Sequence, residues 1–225
     1  MGETSEEKPA GGAPVGEKPI VIAVDGPAAS GKGTLARRLA AHYGLHHMDT
    51  GLLYRAVGLR AEREGLDPVM AAEALALADL ADPVLREDGT AQAASRVAAI
   101  PAVRDALRAL QHRFAALPPG AVLDGRDIGT VVFPDAPIKI YVDATPEARA
   151  RRRHEELIGR GLASIYSRVL QDMTERDARD RGRTVAPLKP AKEALIIDSS
   201  ALNADQVFAR AVDHIGRILP SLAPG

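Results

Sequence analysis

The sequence predicts an α/β fold with a doubly wound, parallel, five-stranded sheet, on three observations. Short apolar, β-branched runs recur along the chain, helical patterns separate each run from the next, and the chemically informative residues follow the runs. Residues 20–24, 121–123 and 138–142 read as buried strands, and 194–197 as a fourth that ends at Asp198. Residues 45–48 add a fifth before Asp49, although His46 and His47 dilute its apolar character. Ligands of such sheets sit at the carboxyl ends of the strands. Gly26, Asp49, Asp124 and Asp143 all stand at those ends.

The first strand runs into GPAASGKGT, which comprises Gly26, Pro27, Ala28, Ala29, Ser30, Gly31, Lys32, Gly33 and Thr34. A helical pattern, LARRLA at 35–40, follows directly. Strand, glycine-rich loop and helix N-terminus in that order make a phosphate-binding site rather than a chance match. The glycines let backbone N–H groups close around an anion, and the helix dipole adds positive potential at the same point. Lys32 can reach the outer phosphates, and the Thr34 hydroxyl can help ligate magnesium. The strict pattern has Ser or Thr directly after Lys; here Gly33 intervenes.

Residues 50–118 are almost wholly helical and Ala-rich, with one break near 82–89 marked by DP and DG dipeptides. That is too long for a simple crossover, so a helical lobe is expected over about 50–118. A second helical, strongly basic region runs over 146–183, and a helix over 204–219 closes the chain. Residues 1–17, rich in Gly, Glu, Pro and Ala without periodicity, read as a disordered leader to a folded unit over 18–225.

Composition narrows the function classes. With 46% hydrophobic and 26% charged residues, the chain of 225 reads as globular. A net charge of −1 argues against a nucleic-acid binder, and no apolar run approaches membrane-spanning length. Absence of cysteine excludes disulfides and thiolate metal sites, and a cytoplasmic setting away from membranes is expected. Among 29 basic residues only six are Lys, and ten arginines fall between Arg149 and Arg183. Guanidinium groups bind phosphate in forked geometry, so this bias suits a polyphosphate site.

Three further stretches carry candidate chemistry. In DTGLLYR, Thr50 can cap a helix on which Thr50, Gly51, Tyr54 and Arg55 line one side; capping plus a surface Arg explains the same residues. In LDGRDIGTVVFPDA, an apolar strand ends at Asp124, a position suited to holding magnesium directly or through water. Arg126 and Asp127 follow on a glycine-bounded turn, which favours close approach to a ligand over a plain salt bridge. In ERDARDRGRTVAPL, Arg176, Asp180 and Arg183 share a helix face. A solvated, salt-bridged helix gives that same pattern, and only the phosphate loop tips the balance toward a cationic lid.

Together GPAASGKGT, DTGLLYR, AASRVAAIPAVRDAL (93–107), DGRDIGTVVFPDAP and ERDARDRGRTVAPL resemble the bacterial cytidylate kinases, from about residue 18 to the C-terminus. The last two stretches joined are highly specific for that family of nucleoside monophosphate kinases. The resemblance implies a phosphate-loop NTPase core, a monophosphate-binding lobe and a short Arg-rich lid over about 154–184. It implies transfer of a phosphoryl group from ATP, with Mg2+, to CMP or dCMP by a monomeric enzyme. Residue by residue, it implies that Lys32 and the loop amides hold ATP, with Thr34 placing the metal. Thr50, Gly51, Tyr54, Arg55, Ser95, Arg104, Asp127, Arg176, Asp180 and Arg183 would hold CMP, with Arg55 and Arg104 at its phosphate and Asp127 and Arg183 at its sugar. Arg126, Arg152 and Arg179 would neutralise the transferring group.

Long-type members of that family carry a three-stranded antiparallel insert in the lobe. Residues 80–92 leave room for at most a hairpin around Asp88 and Gly89. UMP, AMP or shikimate as acceptor would use the same core. A guanine-nucleotide switch would need an NKxD stretch, and the chain has none. His42, His46 and His47, with no acidic or cysteine partner at ligand spacing, are expected to be structural.

Overall fold

Five strands form one parallel sheet: β1 (Ile20–Asp25), β2 (His46–Asp49), β3 (Gly120–Gly125), β4 (Ile138–Asp143) and β5 (Leu195–Asp198). They lie in the order β2-β3-β1-β4-β5. The computed structural model describes residues 19–87, 89–222 and 224; the expected leader at 1–17 lies outside them. All five expected strands form, and the sheet is α/β and doubly wound. Register sets Asp124 of β3 between Val24 of β1 and Asp49 of β2, so these strand ends share one edge.

Helices follow from caps the sequence supplies. Helix α1 (Lys32–Tyr43) starts after Gly31, with φ 91° and no side-chain cap, which leaves its first N–H groups for a ligand. Helix α2 (Thr50–Glu64) is capped by Asp49, whose carboxylate accepts from the Gly51 N–H. Thr50 is therefore not the cap. It is the first helical residue, and its hydroxyl donates to the Asp124 carbonyl at 2.8 Å, stitching α2 to β3.

Helix α3 (Pro68–Glu73) begins with Pro and an Asp67 cap. Two short 3₁₀ turns, Leu77–Ala81 and Pro83–Arg86, follow, then α4 (Thr90–Val97) and α5 (Pro101–Ala115). The break in the lobe thus starts earlier than expected, and the described residues of 80–92 include no strand. Asp82 caps the second turn through the Val84 N–H, and Gly89 already leads into α4. Asp88 itself lies outside the described residues. Helices α6 (Pro146–Gly159) and α7 (Tyr166–Arg181) form the basic hairpin, tied by a buried Arg149–Asp177 ion pair at 2.6 Å. Helix α8 (Ala204–Ile218) opens with an Asn203/Gln206 capping box.

Both sheet faces are covered, which is why the central strands β1, β3 and β4 read as largely apolar. On one face Leu53, Leu107, Leu123 and Ile128 meet; on the other Ile22, Leu39, Ile140, Ile197 and Ile215 do. Each of these is at most 1% exposed, and each such aliphatic side chain contributes about 1.5–3 kcal/mol. Aliphatic packing carries the core. That leaves the uncovered strand ends as the place for chemistry.

Candidate active site

A cleft of about 920 Å³ opens at the carboxyl ends of β1, β2 and β3. Its near wall is the phosphate loop. A Cβ at Gly26 would run into the Val142 carbonyl oxygen, so only glycine fits where the loop leaves the sheet. Ala29 and Gly31 take positive φ, 57° and 91°, the alternation that turns successive amides toward one point. Ala28, Ala29, Gly31, Lys32, Gly33 and Thr34 line the cleft, while Gly26, Pro27 and the buried Ser30 stand behind it.

Lys32 curls over the loop and donates to the Pro27 carbonyl at 3.3 Å. Burial, reinforced by the Arg126 guanidinium, pushes its ammonium down to about 7. From behind, the loop carbonyls are held firmly. The Ser199 hydroxyl and Arg152 donate to the Ser30 carbonyl at 2.9 and 3.4 Å, and Arg149 donates to the Ala28 carbonyl at 3.3 Å.

The far wall is made of side chains from five segments. Thr50, Gly51, Tyr54, Arg55, Ser95, Arg104, Asp127, Arg176, Asp180 and Arg183 all line this same cleft, together with Arg126. Arg104 pairs with Asp127, both buried, and Asp180 takes Arg126 at 3.0 Å on one oxygen and Arg183 on the other. Burial alone would raise Asp180; Arg126, Arg183 and Arg176 outweigh it and hold the carboxyl below its usual range. Burial, with Arg126 next, pulls Arg176 down to about 10. Arg55 donates to the Leu85 and Glu87 carbonyls and to the Thr90 hydroxyl.

Around the whole cleft eight guanidinium groups and Lys32 face six carboxylates, an excess of cations that an anion would relieve. Ser95 Oγ and Arg176 Nε are buried without a hydrogen-bond partner, which marks polar capacity held for something else.

Arg152 and Arg179 do not join this wall. Arg152 lies behind the loop because carbonyls there, of Ser30 and Ser199, draw its donors. Arg179 sits on the exposed flank of α7 and donates to Gln92 at 3.0 Å, bridging the basic hairpin to α4. Asp143 also stays out of the cleft; its carboxylate accepts from the Ala144 N–H.

Two residues emerge that sequence spacing did not reveal. His47 Nε2 lies 2.8 Å from Asp124 Oδ1, so this histidine does have an acidic partner, 77 positions away. Asp25, at the end of β1, accepts the Ile128 and Gly129 N–H groups at 2.8 Å each. For His47, β2 and β3 in register bring the pair together. The only sequence signal for Asp25 was a charge ending an apolar strand.

A family model described as cytidylate kinase matches residues 22–217. The chain belongs to the cytidylate kinase family. It is 58% identical to a cytidylate kinase of Paramagnetospirillum magneticum over 205 residues, covering 87% of this chain and 97% of that one. It is 52% identical to a cytidylate kinase of Methylocella silvestris over 212 residues, 92% and 98% of the two chains. Among solved structures, an uncharacterized protein from Eubacterium ventriosum shares the fold at TM-score 0.52 and 14% identity, over 87% and 98% of the two chains. Membership in the family accounts for a loop and an Arg-rich wall sharing one cleft. Among the described residues no helix is long and apolar enough to cross a membrane.

Proposed function

We propose that this chain transfers the γ-phosphoryl group of ATP to CMP and dCMP, giving ADP with CDP or dCDP. The observation that carries the reading is two anion cradles facing one another across one cleft, one of main-chain amides and one of guanidinium groups. Family membership supplies the nucleotide specificity. In this reading the loop amides and Lys32 hold the ATP phosphates. Arg55, Arg104, Arg126, Arg176 and Arg183 receive the acceptor phosphate and the charge that spreads over the transferring group.

The acceptor phosphate oxygen is already ionised, so it attacks phosphorus without a general base. The new P–O bond forms as the bond to the ADP leaving oxygen breaks, and charge neutralisation by arginines is the protein's main contribution. Ser95 and Arg176, with spare polar capacity, face the cytidine end. The reading carries a monomeric enzyme in the cytoplasm, where ATP is made and used.

Magnesium fits the donor set. Thr34 offers a hydroxyl at the cleft, and Asp124 Oδ2 faces the loop, 3.5 Å from where a Cβ of Gly33 would stand. These are hard oxygen ligands of the kind that ion takes. Among the described residues no group of three or more His, Asp or Glu is placed to hold a metal alone. When bound, it would neutralise phosphate charge and polarise the transferring group.

The test is a coupled ADP-release assay with ATP and a panel of CMP, dCMP, UMP, AMP and shikimate. CMP and dCMP should give the highest kcat/KM. Faster turnover of AMP or shikimate would overturn the reading.

A further inference from the structure

Asp25 is a buried ionisable group to which the proposed reaction gives no role. It ends β1, one residue before the phosphate loop, and is 4% exposed. One carboxylate oxygen accepts the Ile128 N–H and the other the Gly129 N–H. These are the first two amides of the single π-helical turn Ile128–Val132. Asp127, at the N-cap of that turn, provides no side-chain cap, because its carboxylate is engaged by Arg104. A carboxylate 103 residues earlier in the chain caps the turn instead.

The arrangement is costly for the fold. Burial pushes the Asp25 carboxyl up to about 7, against the pull of the two amides that bond to it. An apolar side chain would fill the place without that desolvation. What the carboxylate does touch is telling. Both its bonds go to the turn that follows Arg126 and Asp127, and the loop has its own supports. Gly26 abuts β4, and Ser199, Arg152 and Arg149 hold the loop carbonyls from behind.

We propose that Asp25 is a positioning residue for the acceptor side, its two oxygens fixing the backbone so that Arg126 and Asp127 face the cleft. The inference rests on the phosphoryl-transfer reading above. Through this contact the strand that launches the ATP-binding loop also sets the depth of the residues that meet the acceptor. Two oxygens are needed because two N–H groups point at them. Asparagine keeps the shape but turns an NH2 toward one of those donors, leaving it unpaired.

The experiment compares wild type with Asp25→Asn in three ways: steady-state kinetics for each substrate, thermal melting, and hydrogen exchange across residues 126–132. Expected is a rise of about tenfold in KM for CMP and a similar fall in kcat, with KM for ATP changed by less than about twofold. Exchange at Ile128 and Gly129 should be slow in wild type and fast in the variant. A variant that melts lower yet keeps both KM values and kcat, or weakens both substrates equally, would overturn the proposal.

Should Asp25→Asn fail to melt cooperatively, Asp25→Ser, with one acceptor in less volume, takes its place in the kinetics. Fast exchange of both amides in wild type overturns the proposal in either case. A wild-type protein inert toward CMP would sink the reaction instead, and the exchange contrast between wild type and variant would still report on the cap.

Discussion

The two walls of the cleft are built by opposite means. The loop wall is one continuous stretch whose binding groups are main-chain amides, fixed by Gly26 against β4 and by donors to its outer carbonyls. The acceptor wall draws Arg55 from α2, Ser95 from α4, Arg104 from α5, Arg126 and Asp127 from the turn after β3, Asp180 from the end of α7 and Arg183 from just beyond it. Arg104 with Asp127, and Arg126 and Arg183 with Asp180, are held by ion pairs with one another, while Arg55 is held by the Leu85 and Glu87 carbonyls and the Thr90 hydroxyl. A backbone cradle keeps one shape. Paired charges can exchange a partner for a ligand, so the acceptor wall is the side able to adjust and to discriminate.

The sharpest way to break that contrast is Lys32→Ala. With the loop ammonium gone, kcat should fall by about 10³-fold or more, while circular dichroism stays native. Retained turnover would mean that the loop does not hold the phosphoryl donor. Next is Arg183→Ala, which removes one partner of Asp180 on the acceptor wall. KM for CMP should rise by about 10–100-fold and KM for ATP by much less. Equal weakening of both would erase the division between the walls.

Arg152→Ala should act more gently, because its guanidinium supports the Ser30 carbonyl from behind rather than facing the cleft. A loss of about tenfold in kcat/KM for ATP is expected. A thousandfold loss would return Arg152 to the transferring group. The smallest effect is a proton. Lys32 loses its charge through about pH 7 in the free protein, and the phosphates of ATP restore it. Calorimetry in buffers of different ionisation heat should therefore show proton uptake on ATP binding at pH 8 and little at pH 6. The uptake should vanish in Lys32→Ala.

How much of this was legible in the sequence differs between the walls for the same physical reason. The loop is local, so strand, glycines and helix start stand next to one another in GPAASGKGT and can be read directly. The central strands β1, β3 and β4 were legible because burial on both faces writes them as largely apolar runs, whereas the edge strands β2 and β5 carry a weaker signal. On the acceptor wall, residue types were visible but their partners were not. A helical spacing put Arg176, Asp180 and Arg183 on one face without saying that Arg126, 54 positions away, would reach Asp180.

His47 with Asp124 and Asp25 with Ile128 depend on strand register and on a turn that no local pattern encodes. The resemblance set Arg152 at the transferring group without showing that the Ser30 and Ser199 carbonyls would draw its donors behind the loop. Within 80–92, where at most a hairpin was expected, Pro83–Arg86 forms a 3₁₀ turn because Asp82 followed by Pro83 caps a helical turn, which DP alone did not distinguish from other turns.

The claim that both cradles serve one reaction is tested most directly by an adenosine and a cytidine joined through their 5′ phosphates. If the walls face one another as described, the linked compound fills both at once. Its Kd should then lie at least about 100-fold below that of ATP or CMP alone, with Lys32→Ala and Arg183→Ala each removing part of the gain. A linked compound that binds no more tightly than ATP would contradict the account.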